Sequence, residues 1–271
     1  MYKLEKFMGK RVLTSSFIDD AFVTAFFTTR DLPLKAGERK DLAEEVENNK
    51  KLICEALKIP FENLIIPQQT HSDNVLIIKE KGKGEKGKAK MKNSSSLSSH
   101  LSPLTSHSFA SKDAVVTNQP DVAIALNFAD CVPIIFYDPV KRVVAAAHAG
   151  WRGTTAQIGP KTVKKMAEEF SCEPKDIIAL IGPAIGKCCF EVKEDVLKKL
   201  AASVNNQSEE AFSDNHVDLK LVNKFQLLTC GVEKIDVCEY CTSCQNELFY
   251  SYRKEHGNTA RHSAVVMINS K

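Results

Sequence analysis

Short β-branched and aromatic runs alternate with a few helical-period stretches along this chain. Residues 12–30, rich in Phe, Val and Thr, predict strands with a turn near Asp19 and Asp20. Leu42, Val46, Ile53 and Leu57 share one face of a helix that Pro60 ends. Two short apolar segments, 64–66 and 75–78, bracket the polar string PQQTHSD, which reads as a loop between strands. Beyond residue 112 the pattern predicts strands at 114–116, 122–126, 134–137, 143–147, 177–181, 248–252 and 264–268. A helix over 154–170 carries Val163, Met166, Ala167 and Phe170 on one face, and further helices fall at 191–201 and 218–228.

This irregular order, with 22–28 and 248–252 alternating like antiparallel strands, predicts a mixed α/β (α+β) sandwich rather than a doubly wound sheet. No internal repeat is present. Residues 79–112 break the pattern: Lys and Gly give way to nine Ser between Asn93 and Lys112, with little to bury. They read as a surface insertion in a single domain spanning residues 1–271.

Composition narrows the class. A chain of 271 residues, 43% hydrophobic and 26% charged, is not disordered throughout. No apolar run reaches the roughly 18 residues of a membrane span, and residues 1–10 lack a secretory apolar core, so a cytoplasmic setting is expected. The formal charge is +3, but residues 79–92 hold seven Lys and two Glu, which leaves the remainder at −2. That body offers no basic face for phosphate backbones, so neither nucleic acid nor membrane is an expected partner. Nine Cys, an odd number, suit reduced thiols.

Gly82, Gly84 and Gly87 spell G-x-G-x-x-G, but no helix follows to hold a pyrophosphate, so the match is discarded. Cys238, Cys241 and Cys244 are spaced C-x-x-C-x-x-C with Cys230 upstream. Three thiolates do not close a tetrahedral structural site, and these cysteines read as free thiols, Cys188 and Cys189 as packing thiols. The H-x-E and P-C-x-x-C pair of zinc deaminases is absent. His71 in QQTHSD, Cys131 in NFADCVP and His148 in AAAHAGWRG are more informative, because each lies where a strand meets a polar turn. Two imidazoles and a thiolate are good zinc ligands and leave one coordination position open for water or substrate. Spacing alone leaves two other readings open: core and surface residues without chemistry, or a metal-free Cys131 nucleophile activated by His148.

The strings DAVVTNQPDVAIALNFADCVPIIFYDP, AAAHAGWRGT, IGPAIGKCCFEV and LFYSYRKEHGNTAR, with QQTHSD, resemble the YfiH-like family. Its members were long labelled laccase-domain proteins or polyphenol oxidases and are now regarded as purine nucleoside phosphorylases. The resemblance runs from about residue 25 to the C-terminus, interrupted at 79–112. It implies a four-layer α/β/β/α sandwich with mixed sheets and a zinc ion held by His71, Cys131 and His148. It also implies phosphorolysis of adenosine, inosine and methylthioadenosine to the free base and a sugar 1-phosphate, with some adenosine deamination.

Phosphorolysis wants cations on phosphate, and arginine binds phosphate bidentately. Arg30 in FFTTR matches the family's strand-end arginine and is a catalytic candidate; Arg152 in GWRG and Arg261 are substrate-binding candidates. Asp130, beside Cys131, is a candidate general base or ligand-orienting carboxylate, and Gln69 a candidate reader of the base or ribose. The family usually has Gly-Gly after the arginine, where this chain has Asp31-Leu32-Pro33-Leu34, and Ala260 stands where a glycine is usual. A copper-dependent polyphenol oxidase, the older label, would need H-x-H pairs, and the seven His supply none. Zinc is therefore expected over copper. A metal-free Cys/His thiol hydrolase or deamidase and a non-enzymatic binding module are the alternatives.

Overall fold

The chain opens with a meander in which β1 (Tyr2–Phe7), β2 (Lys10–Ser15) and β3 (Val23–Thr28) pair antiparallel in order. In this computed structural model the described residues are 1–18, 21–79, 109–205 and 209–270. The turn expected at Asp19 and Asp20 lies outside them. β1 escapes the sequence pattern because it is an edge strand whose Lys3, Leu4, Glu5 and Lys6 are all exposed.

Helix α1 (Ala43–Leu57) buries Val46, Ile53 and Cys54 and stops at Lys58, which turns left-handed two residues before Pro60. Then come β4 (Leu64–Ile65), β5 (Val75–Ile78), β6 (Ala114–Thr117), β7 (Ala123–Phe128), β8 (Val132–Asp138) and β9 (Val143–Ala149). The helix expected over 154–170 is two: α2 (Trp151–Thr155) and α3 (Ile158–Phe170), separated by Gln157 at φ 64°. Pro160 explains the break. It fits the first turn of α3, where N–H groups are unbonded anyway, but a continuous helix would drive its ring into the Ala156 carbonyl. The remainder is β10 (Ile178–Ile181), α4 (Glu194–Ala202), β11 (Phe212–Ser213), β12 (His216–Val217), α5 (Leu219–Thr229), β13 (Lys234–Val237) and β14 (His262–Ile268).

Two six-stranded mixed sheets result, ordered β1-β2-β3-β14-β7-β4 and β13-β10-β8-β9-β6-β5. Alternation within single strands dictates how they stack. Ile124, Leu126 and Phe128 of β7 face Ile135 and Tyr137 of β8 and Val144 and Ala146 of β9 across the sandwich. Ala123 and Ala125 face the other way, onto Ile53 and Cys54 of α1. Ile134, Phe136, Ala145 and Ala147 meet Ile158, Val163 and Met166 of α3 and Val222 and Leu227 of α5. These three interfaces make the expected four layers, α/β/β/α. Truncating a buried ring such as Phe136 should cost about 3–5 kcal/mol.

Two expectations need correction. Residues 248–251 are buried and Tyr252 is exposed, but the segment forms turns and irregular chain rather than a strand. The N–H groups of Leu248 and Phe249 go to the Gln245 carbonyl and that of Ser251 to the Glu255 carboxylate, so the backbone is satisfied locally while the apolar side chains sink into the core. The insertion is also narrower than 79–112. Lys79 pairs with Glu169 at 2.7 Å, Phe109 packs on the inter-sheet core, and Gln68 bridges Ala110. Residues 80–108 lie outside the described set. No helix among the described residues is long and apolar enough to cross a membrane.

Candidate active site

Strand register assembles the site. In the antiparallel β8–β9 pair, Pro133 stands opposite His148 and Val132 opposite Ala149, so Cys131 and Gly150 meet at the end of the hairpin. β6 pairs with β9 on the other side, Ala114 against Ala147, which sets Asp113 across from His148. β5 runs parallel to β6, and the loop that enters it brings His71 to the same end. The ligand atoms of His71, Cys131 and His148 all lie within 4.8 Å of one another.

Asp113, which the sequence reading passed over, holds this group together. It is fully buried, and its Oδ1 meets His148 Nδ1 at 2.8 Å and accepts the His71 N–H. Its Oδ2 accepts the N–H groups of Thr70 and Ser72 and the Ser72 hydroxyl. One carboxylate thus folds the His71 loop, which crosses a left-handed residue at His71 itself (φ 60°), and fixes the His148 ring so that Nε2 is turned toward Cys131. A Cβ at position 150 would come within 2.9 Å of Cys131 Sγ and 3.1 Å of His71 Cδ2, so only glycine lets both side chains close on the hairpin end.

The electrostatics follow from these contacts. Burial alone would push the Cys131 thiol up, but the facing His148 charge and hydrogen bonds from both imidazoles outweigh it and bring it down to about 6. Burial likewise opposes charge on His148, yet the Cys131 thiolate and Asp113 hold it up at about 9. The carboxyl of Asp113 stays well below the usual range despite burial, because of His148, Ser72 and Thr70. Two imidazoles and a readily formed thiolate, tightly grouped and with one imidazole oriented by a carboxylate, fit a metal ion bound through three protein ligands.

This group lies in the wall of a cavity of about 600 Å³, large enough for a nucleoside. Lys35, Gln69, Asn127, Asp130, Trp151, Tyr252, Arg253 and Arg261 also line it. The Asp31–Leu34 segment does not block it: Leu32 and Leu34 are buried against the α1 side, and Lys35 follows at the cavity. Burial and neighbouring Arg261 hold the Lys35 ammonium below its ordinary range, with Glu38 and Asp113 opposing. Ala260 keeps an ordinary negative φ, so the missing glycine leaves the turn unstrained.

The candidate residues divide. Arg261 reaches the cavity, where its Nη1 bonds the Thr259 and Ala260 carbonyls and its Nη2 pairs with Glu38 at 3.1 Å. Arg30 and Arg152 are not in the lining: the Arg30 guanidinium bonds Glu255 at 2.8 Å and lies over the Tyr250 ring, and Arg152 stacks on Trp151. Asp130 faces the cavity at φ 84° with both oxygens engaged, one by the Thr242 hydroxyl and the other by the Arg253 N–H, each at 2.7 Å. The Gln69 amide is spent on both backbone groups of Asn127. Asn127 itself accepts the Ser263 hydroxyl and keeps an Nδ2 donor with no partner among the described residues. Arg253 and Lys35 are the cations that sequence reasoning missed. Arg253 sits inside the quoted string LFYSYRKEHGNTAR, so a signal existed, whereas nothing in the local pattern singles out Lys35.

Known proteins share this fold and sequence. The family described as multi-copper polyphenol oxidoreductase laccase matches residues 27–269. A Bacillus subtilis relative named purine nucleoside phosphorylase YlmD is 34% identical over 83% of this chain and 78% of its own length. A Bacteroides thetaiotaomicron relative, named purine nucleoside phosphorylase, is 32% identical over 84% of this chain and 82% of its own length. The crystal structure of YlmD from Geobacillus stearothermophilus superposes with a TM-score of 0.80 at 28% identity, covering 98% of this chain and 99% of that one.

Proposed function

The chain belongs to the multi-copper polyphenol oxidoreductase laccase family, and from that premise we propose that it is a zinc-dependent purine nucleoside phosphorylase. Its substrates in this reading are adenosine, inosine and methylthioadenosine, each with phosphate, and adenosine deamination is a side activity. Support comes from relatives that carry the phosphorylase name. The observation that carries the reading is the His71, Cys131 and His148 group in the wall of a cavity that also holds three cationic side chains, Lys35, Arg253 and Arg261. Nine free cysteines suit a reducing, cytoplasmic setting.

In phosphorolysis a phosphate oxygen bonds to C1′ while the C1′–N9 bond breaks; the base leaves with a proton and the sugar keeps the phosphate. Zinc held by His71, Cys131 and His148 would supply a Lewis acid beside the reacting centre. Lys35, Arg253 and Arg261 hold the phosphate. Arg253 spends Nη1 on the Cys189 carbonyl and Nη2 on the Glu191 carbonyl, which fixes its plane and leaves further N–H donors for the ligand. The Trp151 ring, which lines the same cavity, would stack on base or ribose in this reading. Arg30 and Asp130 act as positioning residues through Glu255, Thr242 and Arg253.

One observation favours a second reading. Cys131, His148 and Asp113 also have the order of a thiol, base and carboxylate triad, which needs no metal. Chelation and thiol alkylation separate the two when scored for adenine release with and without phosphate. Phosphate-dependent release that chelation abolishes and zinc restores supports the phosphorylase. Turnover that survives complete metal removal and stops on alkylation would establish the triad instead.

A further inference from the structure

Four other cysteines converge outside the site described above. β10 and β13 are parallel neighbours, so the chain leaves both in the same direction, and a bridge between Ala184 and Cys241 continues their pairing. The loop after β10 carries Cys188 and Cys189, and the loop after β13 carries Cys241 and Cys244. Their four sulfurs all lie within 4.8 Å of one another. Cys244 Sγ stands 3.6 Å from Cys188 Sγ and 3.5 Å from Cys189 Sγ. Cys238, the first cysteine of the C-x-x-C-x-x-C string, is fully buried and outside this group. The string therefore does not work as a unit: two of its members are completed by a pair about fifty residues earlier.

We propose that Cys188, Cys189, Cys241 and Cys244 form a structural site for one Zn2+, closed by four thiolates, that ties these two loops together. A tetrahedral ion with Zn–S bonds of about 2.3 Å sets its sulfurs about 3.8 Å apart, close to the spacings found. An iron–sulfur cluster spreads its cysteines over several metal atoms and needs a wider cage. A disulfide would satisfy only one of the two neighbours of Cys244 and requires a separation of about 2.0 Å. The surroundings also suit a bound thiolate. The Gly186 N–H points at Cys241 Sγ at 3.2 Å, and a Cβ at position 186 would meet Cys188 Sγ at 3.3 Å. On binding, each thiol gives its proton to solvent and its sulfur lone pair to the ion, a set that offers no open position for substrate.

The site has a consequence for the cavity. Ile185 and Phe190, which flank the Cys188-Cys189 pair, line it, and the Cys189 carbonyl accepts Nη1 of Arg253. Thr242, between Cys241 and Cys244, donates its hydroxyl to Asp130 and its N–H to the Ala184 carbonyl. The ion holds one cavity wall in register without touching substrate.

The inference does not depend on the phosphorylase reading, and its test is scored on metal rather than turnover. Zinc per chain is measured in full-length protein purified under reducing conditions, in the wild type, in Cys188→Ser/Cys244→Ser and in His148→Ala. The double variant should lose one equivalent. Cobalt substitution should give the intense sulfur-to-metal charge-transfer bands of a tetrathiolate in the wild type and in His148→Ala, and not in the double variant. The cobalt spectrum of the wild type decides the matter if the double variant fails to fold. Unchanged zinc in a folded double variant, cobalt spectra without tetrathiolate bands, or a disulfide within the group in the reduced, zinc-saturated protein would each overturn the proposal.

Discussion

On one wall of the cavity, Cys131 and His148 stand at the end of the β8–β9 hairpin with Asp113 across the ladder. Elsewhere the wall draws Lys35, Tyr252, Arg253 and Arg261 from segments that no sheet contains. Ladder hydrogen bonds fix the first group, so a few residues suffice to aim it. The second group has one backbone bridge, between Lys35 and Arg261, and otherwise is held by side chains. Glu255 Oε1 alone accepts Arg30, Asn246, the Ser251 N–H and the Thr259 hydroxyl, and Asp130 anchors the Arg253 backbone. Geometry on the sheet is inherited from register, whereas geometry on the loops rests on polar networks that one substitution can undo.

Substitutions on the two walls should therefore fail differently. The largest effect belongs to His148→Ala or Cys131→Ser: phosphate-dependent base release should fall to background and one zinc equivalent should be lost, as elemental analysis beside a turnover assay will show. Next, Asp113→Asn should lower activity or metal affinity by about 10–100-fold, because the His148 ring loses its orienting acceptor and the His71 loop its anchor. Titration with a zinc buffer measures this. On the other wall, Arg253→Ala should raise the KM for phosphate about tenfold, from loss of charge-assisted bonds worth ~1.5 kcal/mol, with zinc content intact. Loss of metal from this variant would break the distinction between the walls.

Glu255→Gln should have the smallest effect, a few-fold rise in phosphate KM with unchanged zinc, and it carries a pH signature. Burial raises the Glu255 carboxyl, but the Ser251 N–H, Asn246 and Arg30 outweigh it and hold it below its ordinary 4.5. A carboxylate lowered by folding contributes stability that is complete above the unfolded value and lost as pH falls through the folded one. Wild-type stability should therefore drop more steeply than that of Glu255→Gln below about pH 4.5, which denaturation midpoints measured across that range will test.

The same contrast explains what was legible in the sequence. Residues 123–128, 132–138 and 143–149 carry continuous apolar patterns, so their strands can be read directly, with Cys131 just before one and His148 near the end of another. Asp113 could not be, because a lone acid before a strand looks like any solvated turn until register sets it opposite His148. β1 went unread for the opposite reason: it is an edge strand whose middle residues, Lys3 to Lys6, are all exposed and mostly charged. Alternation misled at 248–252, where turns and irregular chain bury residues 248–251 and leave Tyr252 exposed. Among the arginines, the strand-end position of Arg30 suggested a reach into the cavity, but Glu255 and Tyr250 hold its guanidinium instead.

The most direct measurement follows phosphorus. With adenosine and inorganic phosphate supplied to the zinc-loaded protein, 31P NMR should show one ribose 1-phosphate formed for each adenine released, and none after chelation. Adenine released without any sugar phosphate, or sugar phosphate formed at the same rate by the metal-free protein, would contradict a metal-assisted phosphorolysis at His71, Cys131 and His148.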